Sequence, residues 1–358
     1  MLLSTTLLLS TFAAGPVPQQ GDLLLQPDAI VAADGTLQSG MVVQVRDGRI
    51  VAVTEAKDGQ QAIALEGVLA PGMIDAFSGR GADRLLTEQS QQLTPDLRAA
   101  DGLQLTSPVW DSLLARGITA VHVTPDPTNV LAGWGAVVST GGDLGQRVLA
   151  PQTKQIASLV TSSVTDNRVG PSSLAGALEI LEQAMAHPET KDLSSQLWCF
   201  LENAEGARGV QQLVGKQPFT PILMGELGSY GGLFAGNLVG IPTMSYAGLA
   251  RRAETWRRMH KAGVAFAFGT RAGNREWDSL RTSAMAFSRF TGDAAAAWAS
   301  VTSNPAKMLG MEKEMGSIQA GARADLVLWS AHPLDATARV EAVLIGGKTV
   351  YRATGVEQ

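Results

Sequence analysis

The stretch Gly67-Val68-Leu69-Ala70-Pro71-Gly72-Met73-Ile74-Asp75-Ala76-Phe77-Ser78-Gly79 is an apolar run, a Pro-Gly break, and a second run ending in small and polar residues. A short apolar run bounded by breakers reads as a buried strand, here over residues 68–76, that delivers its last side chains to a site. Further runs of the same kind stand at 119–125, 155–160, 197–202, 221–226, 241–246 and 264–270. Helical patterns fall at 172–186, 204–214, 247–262, 276–290 and 293–301, with Asp293 as an N-cap and Gly263 as a C-cap. Strands that alternate with helices argue for repeated βα units around a parallel sheet. Residues 67–309 have the length of a (β/α)8 barrel. Seven strands are legible in them, so the eighth is short, disguised or missing.

The flanks read differently. In 16–66, strands at 29–32, 41–45 and 49–53 are separated by Asp34-Gly35 and Asp47-Gly48, both hairpin signals. In 310–358, strands at 325–329 and 342–351 follow, the latter folded at Gly346-Gly347. The expected fold is therefore α/β: a distorted TIM (β/α)8-type barrel plus a small composite β-sandwich domain formed by both chain ends.

Composition narrows the function classes. The net charge is −5 with both signs scattered, so no basic stripe exists for nucleic acid. The single cysteine, Cys199, excludes an intramolecular disulfide and any multi-cysteine metal cluster, and its setting in Leu197-Trp198-Cys199-Phe200-Leu201 is that of a buried thiol. Residues 1–15 have a leucine-rich centre and small residues at the end, as a secretory signal does, and are too short to span a bilayer. They point to export to a bacterial periplasm, with the cytoplasm as the alternative and no membrane span.

The opening stretch is similar to the first barrel strand of the amidohydrolase superfamily, in its imidazolonepropionase-like branch. There the strand reads Pro-Gly-aliphatic-Ile-Asp-Ala-His-x-His, and the two histidines bind a catalytic divalent metal. Pro71, Gly72, Ile74, Asp75 and Ala76 match it, while Phe77 and Gly79 stand at the histidine positions. Segments 302–310 and 316–329 resemble the family's closing signature, and 117–138 resembles the loop after its second strand. Where the family has Gly-Ser/Thr-Asp at the end of the last strand, this chain has Gly269-Thr270-Arg271. Leu201 falls where a further histidine is usual, and Lys154 reads as a surface residue rather than a bridging lysine. The resemblance implies a C–N hydrolase acting on a cyclic amide or imide through zinc or another divalent metal. With the ligand positions held by Phe77, Gly79 and Arg271, no cofactor is expected.

The surviving chemistry sits at strand ends. Asp75, Glu202, Glu226 and Arg271 are the candidate catalytic residues, since the C-terminal ends of barrel strands converge on one pocket. Ser78, exposed at the mouth, His122, on the inner face with Ala120 and Thr124, and Arg271 are the candidate ligand-binding residues. His187, His260 and His332 have local structural roles at a helix end, a helix C-terminal turn and a sheet turn. Gly133-x-Gly135 reads as a glycine-rich turn rather than a phosphate loop. Either Arg271 pairs with Glu226 or Glu202 across the former metal site, or all of these are solvated rim residues. Three readings of function stay open. The first is a hydrolase homologue without its metal, binding a small ligand or serving as a subunit beside an active relative or in a homo-oligomer. The second is an active cyclic-amide hydrolase, and the third is metal-free catalysis by carboxylates of differing pKa.

Overall fold

The computed structural model describes residues 22–82, 86, 88, 90–160, 163, 170–186, 196–216, 219–224, 236–241, 249–271 and 279–353. The expected signal at 1–15, His187 and Glu226 lie outside these.

Both chain ends build one sheet. Its first five strands are β1 (Leu23–Val31), β2 (Leu37–Ser39), β3 (Met41–Arg46), β4 (Arg49–Glu55) and β5 (Ile63–Pro71). The barrel strands follow as β6 (Met73–Ser78), β7 (Ile118–Val123), β8 (Leu131–Trp134), β9 (Ala136–Ser139), β10 (Val148–Ala150), β11 (Gln155–Leu159), β12 (Leu197–Leu201), β13 (Thr220–Met224), β14 (Asn237–Ile241) and β15 (Ala265–Phe268). The chain then returns through β16 (Leu326–Trp329), β17 (Val340–Ile345) and β18 (Lys348–Arg352). The small sheet has the order β18-β17-β16-β5-β1-β3-β4, with β2 on β1, so C-terminal strands pair directly with N-terminal ones. Asp47 and Gly48, at φ 49° and 78°, make the β3–β4 turn that the Asp-Gly pair predicts.

The strand expected over 68–76 is two strands in two sheets. β5 ends at Pro71 in the small sheet and β6 begins at Met73 in the barrel. Gly72 is the joint: a Cβ there would lie 2.0 Å from Thr119 Oγ1, so only glycine lets the chain cross between sheets.

Among the described residues the barrel has seven parallel strands and one antiparallel one. β6 pairs with β7, and β11 through β15 pair in sequence, all parallel. Between β7 and β11 lie β8 and β9, which are interrupted only by Gly135 and act as one bent strand. β9 runs antiparallel to β7, and β8 antiparallel to β11. The eighth stave is thus the glycine-rich segment expected to be a turn. Gly133, at φ 104°, would bring a Cβ to 2.3 Å from Leu97 O, and a Cβ on Gly135 would lie 2.3 Å from His122 Nε2. Both glycines are imposed by close packing rather than by a ligand.

The strand expected at 241–246 lies earlier, as β14, and 242–248 fall outside the described residues. The cylinder closes where Arg271 N–H donates to Phe77 O at 2.9 Å, joining the end of β15 to β6. Inside are Ile74, Ala120, Ile156, Trp198, Phe200, Ile222, Val239 and Ala267, all fully or almost fully buried. Outside pack helices such as α1 (Leu174–Ala186) and α2 (Ala204–Val214), the latter capped by Asn203 accepting from Gly206 N–H at 2.8 Å. Asp293 caps its helix as predicted, accepting from Ala296 N–H at 2.8 Å. Among the described residues no helix is long and apolar enough to cross a membrane.

Candidate functional site at the barrel mouth

The seam between β6 and the residues after β15 carries most of the site. Asp75 is completely buried, yet its carboxylate accepts from Thr270 N–H at 3.0 Å, Thr270 Oγ1 at 2.5 Å and Phe77 N–H at 3.3 Å. Burial pushes its pKa up to about 6, with the Thr270 and Phe77 hydrogen bonds and the Arg80 charge opposing that rise. Gly269 makes the seam close, because a Cβ there would stand 2.7 Å from Phe77 Cβ.

Next to the seam, two side chains meet the ring of Phe200. The rings of Phe77 and Phe200 lie parallel, 8° apart in plane and 5.8 Å between centroids. The guanidinium of Arg271 covers the Phe200 ring at 5.2 Å, a cation–π contact. Arg271 sits at φ 45°, in the left-handed region that a non-glycine residue rarely occupies. Glu202 is exposed two residues beyond Phe200, on the strand face that Trp198 and Phe200 turn inward. The structure therefore brings Asp75, Phe77 and Arg271 together. The expected partnership of Arg271 with Glu226 falls outside the described residues.

Two expected ligand-binding residues are placed differently. Ser78 is not exposed at the mouth but fully buried, its hydroxyl 3.4 Å from Thr270 Oγ1 and accepting from Arg80 N–H at 3.3 Å. The strand's irregular register past Asp75 turns it into the seam. His122 does face the interior but is also fully buried. Its Nδ1 lies 2.9 Å from Ala76 O, a group that only accepts, so Nδ1 carries the proton; Nε2 is 2.8 Å from the Thr153 hydroxyl. Trp198 meets the imidazole edge-on at 4.9 Å. Burial lowers its pKa to about 4, so it is neutral at pH 7. Lys154 is partly buried rather than on the surface, and burial lowers its pKa. Cys199 is buried, as expected, and burial pushes its thiol well above the usual range, which leaves it inert as a nucleophile. His260 does more than end a helix: its Nε2 stands 3.2 Å from Asp293 Oδ2.

Thr270, Phe200 and the close-packed glycines 135 and 269 escaped the sequence reading. Only Thr270 carried a signal, as the residue before the anomalous arginine. Among the described residues no three His, Cys, Asp or Glu side chains are grouped so as to hold a metal ion.

A barrel whose first and last parallel strands meet at a seam, joined to a sheet built from both chain ends, is the fold that the sequence resemblance implies. Comparison with known proteins agrees with the amidohydrolase resemblance over the C-terminal part of the chain and with the expected fold over most of it. Residues 236–350 match the model of the amidohydrolase family. An amidohydrolase from Thermotoga maritima superposes with a TM-score of 0.79 at 20% identity, covering 92% of this chain and 100% of that one. A prolidase complexed with N-methylphosphonate-L-proline gives 0.58 at 18% identity, covering 93% and 100%. A putative prolidase from Bifidobacterium longum gives 0.57 at 15%, covering 94% and 96%. No curated protein matches the chain in sequence.

Proposed function

We propose that this chain is an amidohydrolase-fold protein without metal-assisted hydrolysis, whose barrel serves to bind a small ligand or an active relative. The reading rests on one observation, the contacts of Phe77 and Arg271 with Phe200 at the barrel mouth. The resemblance puts metal donors at positions 77, 79 and 271. A benzyl ring has no lone pair to give, glycine has no side chain, and a guanidinium is a permanent cation without acceptor capacity. The residues present do not fit a divalent ion, and Arg271 would repel one.

Metal-free catalysis is the competing reading, and the raised pKa of Asp75 favours it, since a carboxyl near neutrality suits acid–base work. Against it, Asp75 is sealed from solvent and its oxygens are engaged by Thr270 and Phe77. Its hydrogen bonds hold the barrel together rather than face a substrate.

Purified protein incubated with zinc or manganese and then desalted decides between these readings. The expected result is no stoichiometric metal and no turnover of hydantoin-type cyclic amides. One metal per chain with chelator-sensitive cleavage would sink the proposal, and cleavage indifferent to chelator would favour the metal-free alternative. Export belongs to the same proposal, and sequencing the amino terminus of protein recovered from periplasmic and cytoplasmic fractions tests it.

A further inference from the structure

The bend between β8 and β9 gathers a hydroxyl, an amine and an imidazole. Gly135 N–H donates to Lys154 O at 2.9 Å and Thr153 N–H donates to Gly135 O at 3.0 Å, so residues 153 and 154 are pinned to the bend just before β11. The pinning sets the Thr153 hydroxyl 2.8 Å from His122 Nε2. A Cβ on Gly135 would lie 2.3 Å from that same nitrogen, so glycine is what leaves room for the pair.

Counting protons fixes which atom gives and which takes. His122 Nδ1–H is engaged by Ala76 O at 2.9 Å, so the neutral ring offers Nε2 as a lone pair. The Thr153 hydroxyl has two acceptors in reach, Nε2 and Gly135 O, each at 2.8 Å. Gly135 O already accepts the Thr153 N–H, which leaves the hydroxyl proton for Nε2. A hydroxyl on the lone pair of an imidazole whose other nitrogen is oriented by a third group is the arrangement that activates an oxygen nucleophile. Burial keeps the ring in its base form at pH 7. Unlike His122, Thr153 and Lys154 are only partly buried, and Pro151 and Gln152 before them are exposed, so the pair sits at the boundary of the core rather than inside it. Lys154 adds a cation whose charge is felt at the His122 ring, and among the described residues no carboxylate opposes the lowering of its own pKa by burial.

We propose that Thr153 and His122 form a metal-free acyl-transfer site for small esters, one that uses neither Asp75 nor Arg271. His122 Nε2 takes the hydroxyl proton as Thr153 Oγ1 bonds to the carbonyl carbon, and negative charge builds on the carbonyl oxygen beside Lys154. The ester C–O bond then breaks, the alkoxide leaves with the proton from Nε2, and the acyl group stays on Thr153. Water attacking with the same nitrogen as base releases the acyl group as the acid and restores the hydroxyl.

p-Nitrophenyl acetate is the probe, applied to the full chain with EDTA present. The expected result is release of nitrophenolate together with an acetyl group on Thr153, located by mass spectrometry after acid quenching. Thr153→Val, which keeps the side-chain shape without the hydroxyl, is expected to abolish both, and Thr153→Ser to retain both. His122→Gln is expected to slow release about a hundredfold. The wild-type rate should fall as pH drops through about 4, where Nε2 takes up a proton. The two Thr153 variants keep the test readable should His122→Gln fail to fold, since circular dichroism on them is expected to match wild type. No acetylation, an acetyl group on Lys154 or elsewhere instead of Thr153, or release that survives Thr153→Val would overturn the assignment. Because EDTA is present throughout, a metal-dependent activity at the mouth, which would sink the earlier reading, cannot imitate this one.

Discussion

Asp75 and Thr270 are joined by two hydrogen bonds across the barrel seam, one from the threonine N–H and one from its hydroxyl. The carboxylate therefore does structural work in a place without solvent, and ionisation there is unfavourable. Its folded pKa of about 6 lies above the ordinary 3.8. A group with a raised folded pKa adds stability that is complete below about pH 4 and is lost as pH rises through about 6. Two pKa units amount to about 3 kcal/mol. Asp75→Asn keeps an acceptor for Thr270 and removes the titration. Urea unfolding between pH 4 and 7 should show the wild type losing ground to the variant as pH rises, and parallel curves would mean that Asp75 does not titrate in this range.

His122 pulls the other way. Burial lowers its folded pKa to about 4 from 6.5, so its contribution is present above about pH 6.5 and is lost as pH falls through about 4. The two buried groups oppose each other over the same window, and their effects nearly cancel. His122→Gln should therefore unmask Asp75, giving a protein whose stability rises on acidification from pH 6 to pH 4. A denaturant series at those two pH values, run on wild type and variant together, checks the sign.

The anomalous arginine is also a stability statement. Its cation–π contact with Phe200 is worth about 0.5–2 kcal/mol, offset by about 1 kcal/mol for a left-handed backbone. Arg271→Asp removes the contact and brings a second carboxylate towards buried Asp75, so the unfolding midpoint should fall and acid should partly restore it. Arg271→Gly loses the contact but relieves the backbone, and should differ from wild type by less than about 1 kcal/mol. Equal losses in both variants would show that the charge at this position does not matter.

These effects mark how far the chain could be read before its structure. Phe77 and Arg271 were visible because the family resemblance puts metal donors at those positions, and Asp75 because it is a carboxylate at the end of an apolar strand. Direction of pointing was not visible, which is why Ser78 was expected in solvent and lies in the seam. The helices and most parallel strands followed from periodicity and caps. The antiparallel stave did not, since Gly133 and Gly135 signal a turn by composition and are demanded only by Leu97 and His122, neighbours distant in sequence. The split at Gly72 was hidden for a similar reason: the apolar run continues across it, and only the contact with Thr119 shows that two sheets meet there.

The glycine contacts give the last prediction. Gly269 and Gly135 are both intolerant of a Cβ, but for neighbours of different stiffness. At Gly269 the added carbon meets Phe77 Cβ at 2.7 Å and the Phe77 backbone nitrogen and oxygen at 2.8 and 2.9 Å, so relief requires moving a barrel strand. At Gly135 it meets the His122 ring at 2.3 Å, and the ring is held by Ala76 O and sits beside Trp198. A ring can swing at the loss of one hydrogen bond, about 1 kcal/mol, plus some packing, whereas overpacking against backbone that cannot yield falls at the upper end of a range of about 1–3 kcal/mol. Gly269→Ala should thus lower the thermal midpoint more than Gly135→Ala. Only Gly135→Ala should also shift the His122 ring resonances in a histidine-labelled NMR spectrum. If Gly135→Ala proves the more damaging of the two, the antiparallel stave rather than the β6–β15 seam is the tighter closure of this barrel.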